Sequence, residues 1–171
     1  MSKTIHELPG TPLSETDFTE NKVLHRFDSL KGYFAWDKGI AIEIYLNGLK
    51  NGVLVGTRCN TCRKTVIPPR TVCEWCFRPM SEFVNLSDTG TINTFSLCYV
   101  TWDVKRIEEP EIPAVIEIDG ASPMHGIMHM IGEIDPKQIS IGLRVKAVWK
   151  PTHEREGAIT DILYFKPIED V

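Results

Sequence analysis

The stretch Cys59-Asn60-Thr61-Cys62, answered by Cys73-Glu74-Trp75-Cys76, organises everything around it. Each CxxC pair lets two thiolates face one point across a tight knuckle. Two knuckles complete a tetrahedron around Zn²⁺, with metal–sulfur bonds of about 2.3 Å. Ten residues separate the pairs, fewer than in the commonest ribbon, yet a short hairpin carrying Pro68-Pro69 can bring them together. A redox CxxC normally occurs once, near a βαβ unit, so two in close succession favour a metal. Zinc is the expected ion, and iron takes similar ligands. A closed four-sulfur site leaves no position for substrate or water. It therefore predicts a structural centre, and a ribbon that folds only with its metal.

Working outward, Val53-Leu54-Val55-Gly56-Thr57-Arg58 reads as a strand running into the first pair. Before it, 37–50 is helical in pattern: Ile40 and Ile44, Ala41 and Tyr45, and Ile42 and Leu46 all recur at i,i+4. Asn51-Gly52 supplies a left-handed stop. The helix is apolar nearly all round, with Glu43 and Lys50 the main exceptions, so it needs cover on more than one side. Either its own domain sandwiches it, or another subunit buries a face carrying Ile40, Ile44 and Tyr45. Residues 1–34 are polar and turn-rich, with Pro9-Gly10 and Pro12, and predict an extended arm. Such an arm is either a disordered tail or a strap that orders on a partner.

Downstream, Phe83-Val84-Asn85-Leu86 is strand-like and Asp88-Thr89-Gly90 marks a turn. Runs at 91–102, 114–118, 124–134, 144–149 and 159–165 then predict five strands, with one helical turn expected at Asp135-Pro136-Lys137-Gln138. In 91–102, alternation places Ile92, Thr94 and Ser96 on one face, and Asn93, Phe95 and Leu97 on the other. Five strands with a helical insert between the third and fourth is the order of an OB-fold barrel. A five-stranded open sheet competes, but closure removes the unpaired edges that an open sheet exposes. The expected fold is mainly β: an arm at 1–34, a helix at 35–52, a zinc ribbon at 53–82 and an OB-fold barrel at 83–171.

The 171 residues carry a formal net charge of -4, with 19 basic and 23 acidic side chains. Nucleic-acid binders usually display a basic stripe that neutralises phosphates, and here the basic residues are scattered among acids. No apolar segment follows the opening Met1-Ser2-Lys3-Thr4, and no run approaches the roughly 20 residues of a membrane helix, so a cytoplasmic protein is expected. After a metal takes four cysteines, Cys98 remains, placed mid-strand as a buried thiol rather than a nucleophile. His125 and His129 share a face at i,i+4, but their surroundings read as strand, and they are expected as ordinary histidines rather than ligands.

These features, taken in order, resemble the OB-fold acyl-CoA-associated proteins that carry an N-terminal rubredoxin-like zinc ribbon. The resemblance spans roughly 33–168. It rests on Leu46-Asn47-Gly48-Leu49-Lys50-Asn51-Gly52, Gly56-Thr57-Arg58-Cys59, Pro68-Pro69-Arg70 and Cys76-Phe77-Arg78. It continues through Asp88-Thr89-Gly90-Thr91-Ile92, Ile141-Gly142-Leu143-Arg144-Val145 and Asp161-Ile162-Leu163-Tyr164-Phe165-Lys166-Pro167. The extended N-terminal arm departs from the commonest pattern. The resemblance implies a structural zinc on Cys59, Cys62, Cys73 and Cys76, and a heteromeric complex with a thiolase-type large subunit. It further implies a non-catalytic role supporting acyl-CoA binding while the partner cleaves or condenses a 3-oxoacyl-CoA. The group includes the small subunit of benzoylsuccinyl-CoA thiolase, so benzoylsuccinyl-CoA is among the 3-oxoacyl-CoA substrates that the resemblance implies.

CoA offers phosphates and an adenine, which basic side chains and aromatic rings can meet; Arg58, Lys64, Arg70 and Phe95 are the candidates. Two other readings compete: a single-stranded nucleic-acid binder, since OB barrels and zinc ribbons serve that purpose elsewhere, and a free-standing acyl-CoA module. The first predicts tight, steeply salt-dependent single-strand binding. The second predicts a monomer that binds CoA unaided.

Overall fold

A computed structural model describes residues 13–24, 26 and 31–168. The chain divides into two units, Met1–Trp36 and Asp37–Val171. In the first, Pro9-Gly10 and Pro12 lie outside the described residues. The described part is not wholly extended: Glu15–Thr19 forms a short helix, α1. The Asp17 carboxylate accepts the Ser14 backbone N–H at 2.7 Å, satisfying a donor that the helix start leaves free.

The second unit opens with helix α2, Gly39–Lys50. Ala41, Tyr45 and Leu49, spaced one turn apart, form its buried stripe and pack on strand β1, Leu54–Cys59. The helix ends where Gly52 takes φ +73 and the Val53 N–H returns to the Gly48 carbonyl at 2.9 Å. Gly48 is required by close approach, since a Cβ there would sit 2.9 Å from the Val53 carbonyl oxygen.

Strand β1 pairs antiparallel with β2, Lys64–Val66, and with β3, Glu82–Leu86, giving a three-stranded sheet in the order β2-β1-β3. Apart from Arg58, every residue of β1 is buried, as expected of a central strand between the helix and its sheet neighbours.

A five-stranded antiparallel sheet follows. Its strands are β4 (Thr89–Phe95), β7 (Pro113–Ile118), β8 (Gly126–Met130), β9 (Arg144–Trp149) and β10 (Ile162–Pro167), in the order β10-β9-β4-β7-β8. Just past the end of β8, Ile131 forms a parallel bridge with Phe165 of the other edge strand, where the Gly132 N–H reaches the Phe165 carbonyl at 2.9 Å. Ile92, Ile116, Val145, Ile162 and Phe165 are fully buried, and burial of each such side chain contributes about 1.5–3 kcal/mol.

Three local expectations are corrected. The run 91–102 is not one strand: β4 stops at Phe95, and a hairpin, β5 (Cys98–Val100) and β6 (Arg106–Glu111), forms its own two-stranded sheet. A β-bulge between Ile92 and Thr94 breaks the alternation, so Ile92 and Phe95 both pack on the core instead of facing opposite ways. Asp135–Gln138 forms a hydrogen-bonded turn rather than a helical one. Among the described residues no helix is long and apolar enough to cross a membrane.

Candidate metal centre and the adjoining cleft

Cys59 ends β1 and Cys62 lies within the turn to β2, while Cys73 and Cys76 lie on the loop between β2 and β3. That loop is folded back by an antiparallel bridge between Val72 and Pro79 and by the Cys73 N–H donating to the Arg78 carbonyl at 2.8 Å. In each pair the residue after the second cysteine turns left-handed, Arg63 and Phe77 both at φ 55. The same knuckle is thus built twice.

The four Sγ atoms lie within 4.8 Å of one another, with Cys59 and Cys76 at 3.7 Å. Sulfurs on a tetrahedral zinc with bonds of about 2.3 Å sit roughly 3.8 Å apart, so the residues fit such an ion. Crowded thiols oppose one another's ionisation: the hydrogen bond with Cys76 is the largest cause pushing the Cys62 thiol up to about 12. The Cys62 backbone N–H, 3.5 Å from Cys59 Sγ, is the largest cause holding that thiol down to about 7. A divalent cation removes the conflict, because it lets all four ionise together. Among the described residues these cysteines are the one group of three or more metal-ligating side chains that converge.

Beside the centre, the ribbon and the five-stranded sheet enclose a cleft of about 580 Å³. Its walls include Lys64, Arg70, Glu74, Trp75, Met124 and His125. Lys64 Nζ stands 5.7 Å above the Trp75 ring, which lies 5.2 Å from the His125 ring. His125 Nε2 is 3.1 Å from Glu74 Oε1, and Glu74 also pairs with Arg70. The bond from His125 foremost, then the Arg70 charge, holds the Glu74 carboxyl below its ordinary value against the effect of burial.

Of the four residues proposed to meet CoA, the fold brings Lys64 and Arg70 together here. Arg58 pairs with Thr65, the residue after Lys64, on the ladder, but its Nε donates to Thr65 Oγ1 at 3.2 Å and its Nη1 lies 3.5 Å from Glu82. Phe95 packs against the core and does not line the cleft, because the bulge in β4 turns it inward. Sequence reasoning missed Trp75, Glu74 and His125. The first two sit inside a CxxC pair, which directs attention to the cysteines, and no local pattern signals that His125 meets them. His125 and His129 part company: His129 Nε2 lies 3.3 Å from the Ile159 carbonyl, and its ring 5.7 Å from that of Phe165.

On α2, Ile40 is exposed and lines a shallow groove with Pro69 and Val72, and Ile44 is half-buried. Tyr45, expected at a partner interface, belongs instead to the chain's own core. Its buried hydroxyl finds no hydrogen-bond partner among the described residues, and burial pushes it up to about 12. Cys98 is half-buried on β5 opposite Glu111, outside both the cluster and the cleft, rather than buried in a core.

Two family models match the chain: the ChsH2 rubredoxin-like zinc ribbon domain over residues 46–81, and the ChsH2 C-terminal OB-fold domain over 83–150. A DUF35 domain-containing scaffold protein of Methanocaldococcus jannaschii is 32% identical over 120 residues, covering 68% of this chain and 83% of that protein. Among solved structures, a DUF35-family protein from Sulfolobus solfataricus superposes with TM-score 0.55 at 21% identity, covering 64% of this chain and 78% of its own. A chain of the Ltp2-ChsH2(DUF35) aldolase gives the same TM-score and identity, with 80% of this chain and 98% of that one covered. The chain belongs to the DUF35 family, in which a rubredoxin-like zinc ribbon precedes an OB-fold domain as in ChsH2.

Proposed function

We propose that this chain is the non-catalytic accessory subunit of a thiolase-type acyl-CoA enzyme, and that its cleft supports the bound acyl-CoA. The observation that carries the reading is the cleft itself, which sets two cations and an aromatic ring within one space of ligand size. Lys64 and Arg70 suit phosphates, and Trp75 offers a stacking face for adenine. A relative of the same fold, named as part of an aldolase assembly with Ltp2, supports a role beside a larger catalyst. Cys98 does not line the cleft, so no cysteine outside the cluster stands where the ligand would lie. A thioester intermediate on the partner is hydrolysed if bulk water reaches it, which gives a cover a physical purpose.

In this reading the four cysteines hold zinc as a structural ion, which ties the ribbon together and takes no part in the reaction. Residues 1–34 are an arm, 35–52 the helix, 53–82 the ribbon and 83–171 the OB-fold domain, closed at the Ile131–Phe165 bridge. The protein works in the cytoplasm, and benzoylsuccinyl-CoA is the first 3-oxoacyl-CoA to try. The 19 basic side chains are outnumbered by 23 acidic ones, which weighs against a phosphate-binding stripe for nucleic acid.

The test is co-purification at native expression levels, followed by thiolysis assays on the separated and recombined chains. The expected result is a thiolase-type large chain whose activity falls when this subunit is withheld. Full turnover of a 3-oxoacyl-CoA by the isolated 171-residue chain would overturn the reading.

A further inference from the structure

The β5–β6 hairpin carries apolar surface that none of the described residues covers. No residue from Cys98 to Glu111 is buried, although the strands pair and the turn is locked. The Thr101 N–H donates to the Lys105 carbonyl at 2.9 Å, and the Thr101 hydroxyl donates to Asp103. On this ordered frame Tyr99 and Val100 are exposed along the strand, Trp102 is 95% exposed and Val104 83%. Val104 also holds φ +65, a left-handed conformation that a β-branched residue rarely adopts and that glycine or asparagine would take with less strain. An apolar residue maintained at a strained, solvated tip is the pattern of a contact site.

Charge indicates what the arm would meet. Asp103, Glu108, Glu109 and Glu111 are all exposed; against them stand Lys105, paired with Asp103, and Arg106. The arm is therefore a pair of apolar anchors with an acidic flank. A second copy of this chain, itself at -4, offers poor complementarity to it.

We propose that the β5–β6 hairpin is a docking arm. It places Trp102 and Val104 in an apolar socket on a different protein, and its acidic flank meets lysines or arginines on the socket's rim. The inference rests on the accessory-subunit reading and deepens it by naming the surface that grips the large chain. Trp and Tyr anchors entering a dry pocket dominate the energy of such interfaces, while the charged flank chiefly speeds encounter.

The experiment titrates the purified full chain into the purified thiolase-type large chain identified by co-purification, comparing wild type with Trp102→Ala, with Val104→Gly, and with Glu108→Lys/Glu109→Lys. Metal content and thermal midpoint are recorded for each, so that an unfolded variant is recognised. The expected result is affinity weakened roughly 30-fold or more by Trp102→Ala. The charge reversal should slow association and flatten its salt dependence. Val104→Gly, which relieves backbone strain, should weaken binding while leaving the fold intact. Equal affinity for wild type and all three variants would overturn the docking arm and leave the accessory role standing. Dimerisation of the chain abolished by Trp102→Ala would overturn it in favour of a second copy. Failure of wild type to bind any thiolase-type chain would overturn the accessory role and the arm with it.

Discussion

His125 Nε2 lies 3.1 Å from Glu74 Oε1, so a residue leading into β8 holds a residue placed between two ribbon cysteines. With the Trp75–His125 ring contact at 5.2 Å, this makes one joint between ribbon and five-stranded sheet. Replacing His125 with Ala should cost about 1–2 kcal/mol, the sum expected for a lost hydrogen bond and ring contact. Chemical denaturation measures the loss, and zinc content should not change. Undiminished stability would mean that the joint contributes nothing.

The cysteine cluster predicts one zinc per folded chain by elemental analysis. Cys73→Ser removes a buried ligand and should unfold the ribbon, because structural zinc in such sites contributes on the order of 10 kcal/mol to folding. Loss of the near-ultraviolet signal of Trp75 on chelation would report it, and a ribbon still folded after complete metal removal would contradict it.

Tyr45 carries a buried hydroxyl that finds no partner among the described residues. Tyr45→Phe should therefore be neutral or stabilising by up to about 1 kcal/mol, since the phenylalanine buries the same ring without a stranded polar atom. Tyr45→Ala should cost about 3 kcal/mol through the cavity it leaves. A clear destabilisation by phenylalanine would reveal a partner for that oxygen.

Asp161 is fully buried at the entrance to β10. Burial alone would raise its carboxyl, but the backbone N–H groups of Glu156, Gly157 and Ala158 donate to it at 2.7–3.1 Å and hold it below the ordinary value. Because the folded value lies below the unfolded one of about 3.9, this stabilisation is complete above that pH. It is lost as pH falls through the folded value. Asp161→Ala should cost about 3 kcal/mol near neutrality, and the gap to wild type should close in acid. Denaturation midpoints from neutral pH down to strong acid measure it, and a gap independent of pH would remove the carboxylate from the account.

In the complex, Lys64→Ala and Trp75→Ala should raise the KM for the acyl-CoA several-fold with little change in kcat, as expected for groups that bind the ligand equally well in the ground and transition states. Phe95→Leu, which alters only the core, should leave KM alone. Steady-state kinetics on the reconstituted enzyme separates the two.

Much of the architecture was legible in the order of residues. The two CxxC pairs defined the knuckles, because thiolates that share an ion must be closely spaced in sequence. The i,i+4 apolar pairs marked α2, and β-branched runs marked the strands of the five-stranded sheet. Such patterns report on neighbours a few positions apart. They could not show that one bulge after Ile92 would turn Phe95 into the core, or that Tyr45 would be buried by its own chain. Glu74 and His125 are 51 positions apart, and only the packing of the ribbon beside the five-stranded sheet brings them within hydrogen-bond reach. The cleft and the exposed hairpin have the same origin: each depends on which distant surfaces pack together and which are left uncovered, a property of the assembled chain rather than of any local run.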